Sequence, residues 1–257
     1  MTSHKMSLAP ALLISVLALS LLSSSCLSGP APSPSIITRE TGRCFLKAGK
    51  SEACGYGLYS YLLLGSAPND LNRERYRRTI AAFLRFVPDI ADLEGAQMPP
   101  RSLNIAYIPL VQDQSPVDKE ILNARGDSPR IDELANWVLL NYDYARARAL
   151  LNAVPNGPHS SGPYFVSTIK PLSEVSSISE NYLYQDLSTV PHNIIEPWVR
   201  EFISQAGKEH FWEPRNVAQF ALTLRKALAE FTQASSEART AWPTANEELA
   251  KLISFKE

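Results

Sequence analysis

The stretch CGYGLYSYLLLGS, residues 54–66, decides how the folded part of this chain is read. It is rich in Tyr and Leu, is punctuated by glycines, and runs into the turn cluster SAPND at 66–70, a combination that marks a β-strand. Alternation puts Tyr56, Leu58, Leu62 and Leu64 on one side and Tyr59, Tyr61 and Leu63 on the other. Both sides are apolar or aromatic, so the strand is expected to be covered on both faces, as strands of parallel sheets are.

The next segments fit that expectation. In NDLNRERYRRTIAAFLRFV, 69–87, Tyr76, Ile80, Phe83, Leu84 and Val87 recur at helical spacing, and Asp70 stands where an N-cap is wanted. After the loop EGAQMPP comes a second strand candidate, SLNIAYIPLV at 102–111, whose Pro109 points to an edge or to the strand's end. The second helix has Ser128 as N-cap and Pro129 at its first position. Ile131, Leu134, Val138, Tyr142, Ala145 and Ala149 form one stripe before Pro155 and Gly157. GPYFVSTIK, 162–170, reads as a third strand.

Strand, helix, strand, helix, strand predicts an α/β fold: a small parallel or mixed sheet of about three strands with crossover helices. A helical C-terminal portion is expected after it: EPWVREFISQA at 196–206, EPRNVAQFALTLRKALAEF at 213–231, and TANEELAKLI, where Thr244 and Glu247 have capping-box spacing. NYDYARARALL has the flavour of a tetratricopeptide helix, but no partner recurs at the required period. One globular domain over 41–257 is the simplest organisation.

Composition agrees with a globular chain: 45% of the 257 residues are hydrophobic and 20% charged. The 25 basic and 26 acidic residues nearly cancel, so no global field favours nucleic acid, and none is expected as a partner. The N-terminus differs from the rest. Lys5 supplies a positive start, Leu8 to Leu22 an apolar run, and Ser23, Ser24 and Ser25 a small-residue cleavage site, which together read as a signal peptide over 1–25. The run is about fifteen residues, shorter than the roughly 20 a membrane-crossing helix needs.

The boundary LLSSSCLSGPAPSPS, 21–35, resembles the lipobox of bacterial lipoproteins, in which small residues precede a cysteine that is acylated and becomes the mature N-terminus. Here Ser23 stands three positions before Cys26 and Leu22 four. The resemblance implies lipidation at Cys26, a membrane held through that lipid, and a flexible tether to about residue 40. The Ser, Gly and Pro content of the segment, which cannot bury apolar area, suits the tether. Acyl chains contribute about 0.8 kcal/mol per buried methylene, enough in combination for stable anchoring. Leu27 comes directly after the cysteine, where Asp would imply inner-membrane retention, so the implied location is the outer membrane facing the periplasm. A soluble periplasmic or secreted protein is the alternative.

With Cys26 assigned to lipid, Cys44 and Cys54 remain as an even pair, and oxidising export makes a disulfide their expected fate. The ten-residue loop it would close contributes roughly 2 to 3 kcal/mol in the chain-entropy model. FLKAGKSEA, with Gly49 at its centre, is expected to fold back as a turn. The competing fates are buried free thiols or a metal pair, but no His or Cys at ligand spacing accompanies them, and no metal or cofactor is expected.

The search for chemistry yields little, since no nucleophile elbow, phosphate loop, dinucleotide fingerprint or zinc-protease helix motif is present. Three histidines lie beyond the leader. His159 lies in a polar turn, His192 comes after Asp186 at a spacing that would let a carboxylate orient an imidazole, and His210 adjoins Phe211 and Trp212. A turn or packing role is the plainer expectation for each. Arg73, Arg75, Arg77, Arg78 and Arg85 give the 69–87 helix a basic face with only Glu74 among them. That face suits an acidic partner, anionic headgroups or an envelope polymer, but a solvated face answered by acids such as Asp89, Asp92 and Glu94 is the plainer expectation.

In open parallel sheets ligands gather outside the carboxyl ends of the strands, where helix N-termini attract anions. Those ends would be 65–70, 112–114 and 170–173, and a small anion near Ser66, Asn69 and Arg73 would suit them. Two functions are compatible with these features: a non-catalytic, lipid-anchored binding or assembly component meeting another envelope protein or polymer, or an envelope enzyme, hydrolase-like, with its site at those strand ends.

Overall fold

The computed structural model describes residues 39–111, 124, 126, 128–154, 160–175 and 182–207, all within one compact unit. The fold is α/β with a mixed five-stranded sheet in the order β1-β3-β2-β4-β5. The strands are β1 (Glu40–Lys47), β2 (Leu58–Leu63), β3 (Leu103–Leu110), β4 (Tyr164–Thr168) and β5 (Tyr182–Asp186). The helices are α1 (Arg73–Phe86), α2 (Ile90–Gly95), α3 (Ile131–Leu140), α4 (Tyr144–Leu151) and α5 (Ile195–Ala206).

β1 and β2 both lie parallel to β3, so the passage from β2 through α1 and α2 to β3 is the expected crossover. The second expected crossover is not made. β4 is antiparallel to β2, with Tyr59 opposite Thr168 and Leu63 opposite Tyr164, and β5 is antiparallel to β4. About three strands were expected, and the described residues form five. β1 begins at the residue taken as the tether's end and runs into the expected turn, and β3 is central, with Pro109 near its end, the second of the two places the proline pointed to. Pro109 is tolerated because it is the penultimate residue of β3, where its carbonyl accepts a bond from Asp143 N at 3.1 Å.

α1 buries the stripe its spacing predicts, Tyr76, Ile80, Phe83 and Leu84, with Val87 just beyond. It packs on the face of the sheet that presents Ser60, Leu62, Phe165 and Ser167. There the rings of Phe83, Phe165 and Phe202 stack in succession at centroid distances of 5.9 and 5.0 Å, and α5 adds Trp198 over Gln185. Asp70 does not cap α1. Asn69 does that work through a turn of its own, its Oδ1 accepting from Leu71 N at 2.9 Å and Asn72 N at 3.1 Å. The helix stops at Val87, whose extended backbone (ψ 109°) is what a proline at the next position imposes.

The long stripe expected over 131–149 is broken in two. Asn141 ends α3, Tyr142 bridges to Leu110, and Asp143 starts α4 by accepting Arg146 N at 2.8 Å. The break rotates the apolar face, so α4 buries Ala147, Leu150 and Leu151 and leaves Ala145 and Ala149 exposed. Ser128 accepts from Arg130 N at 3.3 Å, one turn early, and the helix proper begins at Ile131. α5 begins at Ile195, two residues before Pro197. The helices expected over 213–231 and 244–253 lie outside the described residues, as do Pro155 and Gly157.

Among the described residues, no helix covers the opposite face of the β1–β3–β2 part of the sheet between α2 and Glu174. Residues 48–57 return from the end of β1 to the start of β2 across that face. Gly49 (φ 73°) turns the chain as expected, with Lys50 N bonded to Lys47 O at 3.1 Å. Gly57 admits no side chain, since a Cβ there would meet Arg101 O at 2.1 Å. Gly42 lets α2 press directly on β1, where a Cβ would meet the Ile90 side chain at 2.6 Å.

Candidate functional site

Ser66, Asn69 and Arg73 all lie at the start of α1, but two of the three are already occupied. Ser66 Oγ lies 3.2 Å from Tyr76 Oη and accepts from Asn72 Nδ2 at 3.3 Å. Asn69 is bound up with Asn72, each closing the other's backbone N–H. A ligand anion would have to displace these bonds. Arg73 is different: it reaches away from them into a cleft of about 340 Å³ that it lines with Pro68, Asn136, Leu139, Leu140 and Tyr144.

The convergence of strand ends does not occur. Because β4 is antiparallel, Thr168 and the residues after it lie beside Tyr59 at the start of β2, across the sheet from 65–70. Residues 112–114 lie outside the described residues. The carboxyl end of β1 is closed by α4, whose Arg146 donates to Lys47 O at 3.0 Å and Lys50 O at 2.7 Å. Tyr142 closes the end of β2, donating to Leu62 O at 2.8 Å and accepting from Leu64 N at 3.0 Å.

The basic face of α1 is answered by acids other than Asp89, Asp92 and Glu94. Glu74 binds both Arg77 and Arg78, Asp132 takes Arg77 at 2.5 Å, and Glu196 takes Arg85 at 2.6 Å. Arg75 donates to the carbonyls of Leu187 and Val190. The bonds from Arg77 and Arg78 hold the Glu74 carboxyl down at about 2. His192 is exposed, and partial burial and the charges of Arg75 and Arg78 push its pKa down. It is not oriented by Asp186, which instead accepts from Ser160 Oγ at 2.9 Å and Ser188 N at 2.8 Å. His159 and His210 lie outside the described residues.

The expected Cys44–Cys54 disulfide is not formed; Cys44 carries a free thiol. Cys44 lies in β1, in register with Tyr107 and beside Asp89 and Glu94, while Cys54 has its Sγ 3.7 Å from Glu174 Oε1. Burial first, and then the nearby charges of Asp89 and Glu94, push the Cys44 thiol up to about 11, so it is a poor nucleophile at neutral pH. Cys26 is outside the described residues.

One cluster has almost no signature in the sequence. On the sheet face crossed by residues 48–57, Tyr61 donates to Glu52 Oε1 at 2.9 Å and accepts from Leu172 N at 2.9 Å. Tyr107 accepts from Ala53 N at 2.7 Å, and Tyr59 from Tyr56 N at 3.2 Å. Burial pushes all three phenols up. Glu52 is almost wholly buried, and its Oε2 has no partner among the described residues. The only sequence signal is the tyrosine alternation itself, since nothing near Glu52 marks it as internal. Phenols held protonated and spent on backbone groups position a loop; they offer neither base nor nucleophile.

Among the described residues no group of His, Cys, Asp or Glu could hold a metal ion, and no helix is long and apolar enough to cross a membrane. No family model matches the chain, and neither a curated protein nor a solved structure matches it.

Proposed function

We propose that this chain is a lipid-anchored cell-envelope protein, carried at the outer membrane facing the periplasm through acyl groups on Cys26, whose domain is a non-catalytic binding or assembly component. The reading is carried by one observation: an apolar leader ends at Cys26 and gives way to a Ser, Gly and Pro tether before the α/β sheet begins. Two features of the domain support it. The polar groups at the start of α1 are spent on capping, and the ends of β1 and β2 are closed by Arg146 and Tyr142. The partner is another envelope protein or polymer.

Replacing Cys26 by Ala and fractionating the cells tests the anchor. The wild-type chain is expected in the outer-membrane fraction with an acylated N-terminus by mass spectrometry, and the variant in the soluble fraction. Unchanged membrane association, or a native terminus free of lipid, overturns the reading. For the binding role, crosslinking in intact envelopes is expected to trap a specific partner, and a protein that remains solitary counts against it.

A further inference from the structure

We propose that the cleft between the start of α1 and the α3–α4 corner binds a short segment of a partner protein in which an apolar side chain neighbours a carboxylate. This deepens the binding role and rests on it. Of the five arginines on α1, Arg75, Arg77, Arg78 and Arg85 are all answered by acids or carbonyls. Arg73 is exposed, and its guanidinium makes no hydrogen bond or ion pair with any described residue. Glu74, the adjacent acid, is held by Arg77 and Arg78. Arg73 is therefore a cation left over at the edge of a cleft.

The rest of the cleft says what should accompany the carboxylate. Pro68, Leu139, Leu140 and Tyr144 make it apolar, and its volume of about 340 Å³ is at the small end of the range for binding pockets, roughly 300–1,000 Å³. Leu140, which lines the cleft, is 78% exposed, so apolar surface continues out of the cleft toward solvent. Tyr144 spends its hydroxyl on Leu139 O at 3.0 Å. Beside the guanidinium, the polar group left in the lining is the exposed amide of Asn136, which suits a peptide backbone. A guanidinium takes a carboxylate through two parallel bonds, and the apolar walls take the side chain next to it. A lipid headgroup surface is the weaker fit, because such surfaces are gripped by several basic residues and the lining of the cleft holds a single one, beside apolar walls.

The test uses the purified mature chain and two probes, acetyl-Leu-Leu with a free C-terminal carboxylate and the same dipeptide as its amide. Methyl NMR is expected to show saturable shifts at Leu139 and Leu140 with the acid, and binding at least about tenfold weaker for the amide. Arg73→Gln, which removes no internal bond and so leaves the melting temperature unchanged, should bring the acid down to the level of the amide. Equal binding of both probes, shifts that map elsewhere, or phosphatidylglycerol vesicles bound through Arg73 in place of the acid probe would each overturn the proposal. If crosslinked partners persist undiminished in Arg73→Gln, the cleft is excluded while the broader binding role stands.

Discussion

The two faces of the sheet are covered by different means. On one, α1 and α5 lay down an apolar surface of Phe83, Phe202 and Trp198, and the helices satisfy their own backbone groups internally. On the other, residues 48–57 have no such internal bonding where they cross β3 and β2, and tyrosine hydroxyls take over. Tyr107, Tyr61 and Tyr59 rise from the sheet and accept the N–H groups of Ala53, Leu172 and Tyr56. Of residues 48–57 only Glu52 is buried, but amides that face the sheet without regular structure still need partners, and a phenol supplies one at the end of a large apolar ring. Polar atoms on the helix-covered face behave differently, pairing among themselves. Thr41, Asn104, Ser60 and Ser167 form a buried chain across four strands, with links of 3.1, 2.9 and 2.7 Å.

The largest effect is expected at Arg43, a fully buried charge on the helix-covered face. Its Nη1 donates to Val87 O at 2.7 Å and Leu84 O at 3.3 Å, ending α1 against β1. Arg43→Ala leaves those carbonyls bare and opens a cavity, so denaturant unfolding should show a loss of about 3 kcal/mol or more. Arg43→Met, which fills the space without the donor, should recover part of that loss. If Met is as damaging as Ala, packing matters little here and the bond carries the effect.

On the loop-covered face, Tyr61→Phe removes the donor to Glu52 and the acceptor for Leu172 N together. Because it leaves the buried Glu52 side chain with only the longer bond from Ser173 N, at 3.3 Å, the cost should be about 2 kcal/mol. Adding Glu52→Gln should cost less than the sum of the two single changes, since the charge that Tyr61 satisfies is then gone. Strict additivity in chemical denaturation would mean that the bond from Ser173 N holds Glu52 without help from Tyr61. Ser60→Ala, in the middle of the hydroxyl and amide chain, should cost about 1 kcal/mol by the same measurement, because Asn104 keeps its bond to Thr41.

The same contrast explains what could be read from the residues. α1 was legible because its apolar stripe recurs over fourteen residues, and β2 because an unbroken Tyr and Leu run beside glycines reads as a strand covered on both faces. β1 was not, because Gly42 and the buried Arg43 interrupt an otherwise alternating strand, and Arg43 makes sense only beside the carbonyl end of a helix 41 residues away. The antiparallel course of β4 is written nowhere in GPYFVSTIK, since its buried pattern would serve either direction. The break at 141–143 is hidden because Tyr142 is apolar enough to continue a stripe while its hydroxyl holds the end of β2. At the start of α1, capping by Asn69, which sequence spacing assigned to Asp70, ties up Asn69 and leaves Arg73 as the group without a bond.

The smallest effect lies outside both covers, on the solvent side of α1. Glu74 is bonded to Arg77 and Arg78, and its carboxyl titrates at about 2, below the ordinary value of 4.5. A depressed acid stabilises the fold above its unfolded pKa and loses that contribution as pH falls through the folded one, here between about 4.5 and 2. With 44% of the side chain exposed, solvent screening reduces the gain well below what the shift alone would imply, to about 0.5 kcal/mol at neutral pH. Glu74→Gln should therefore lower stability slightly at pH 7 and make no difference near pH 2, the gap closing across that window. High salt should narrow the gap at pH 7 as well, because the pair is exposed, whereas the losses at Arg43 and Tyr61 should be nearly insensitive to salt. A gap at Glu74 that survives molar salt would mean the carboxylate acts through the geometry of its bonds, holding Arg77 toward Asp132, rather than through its charge.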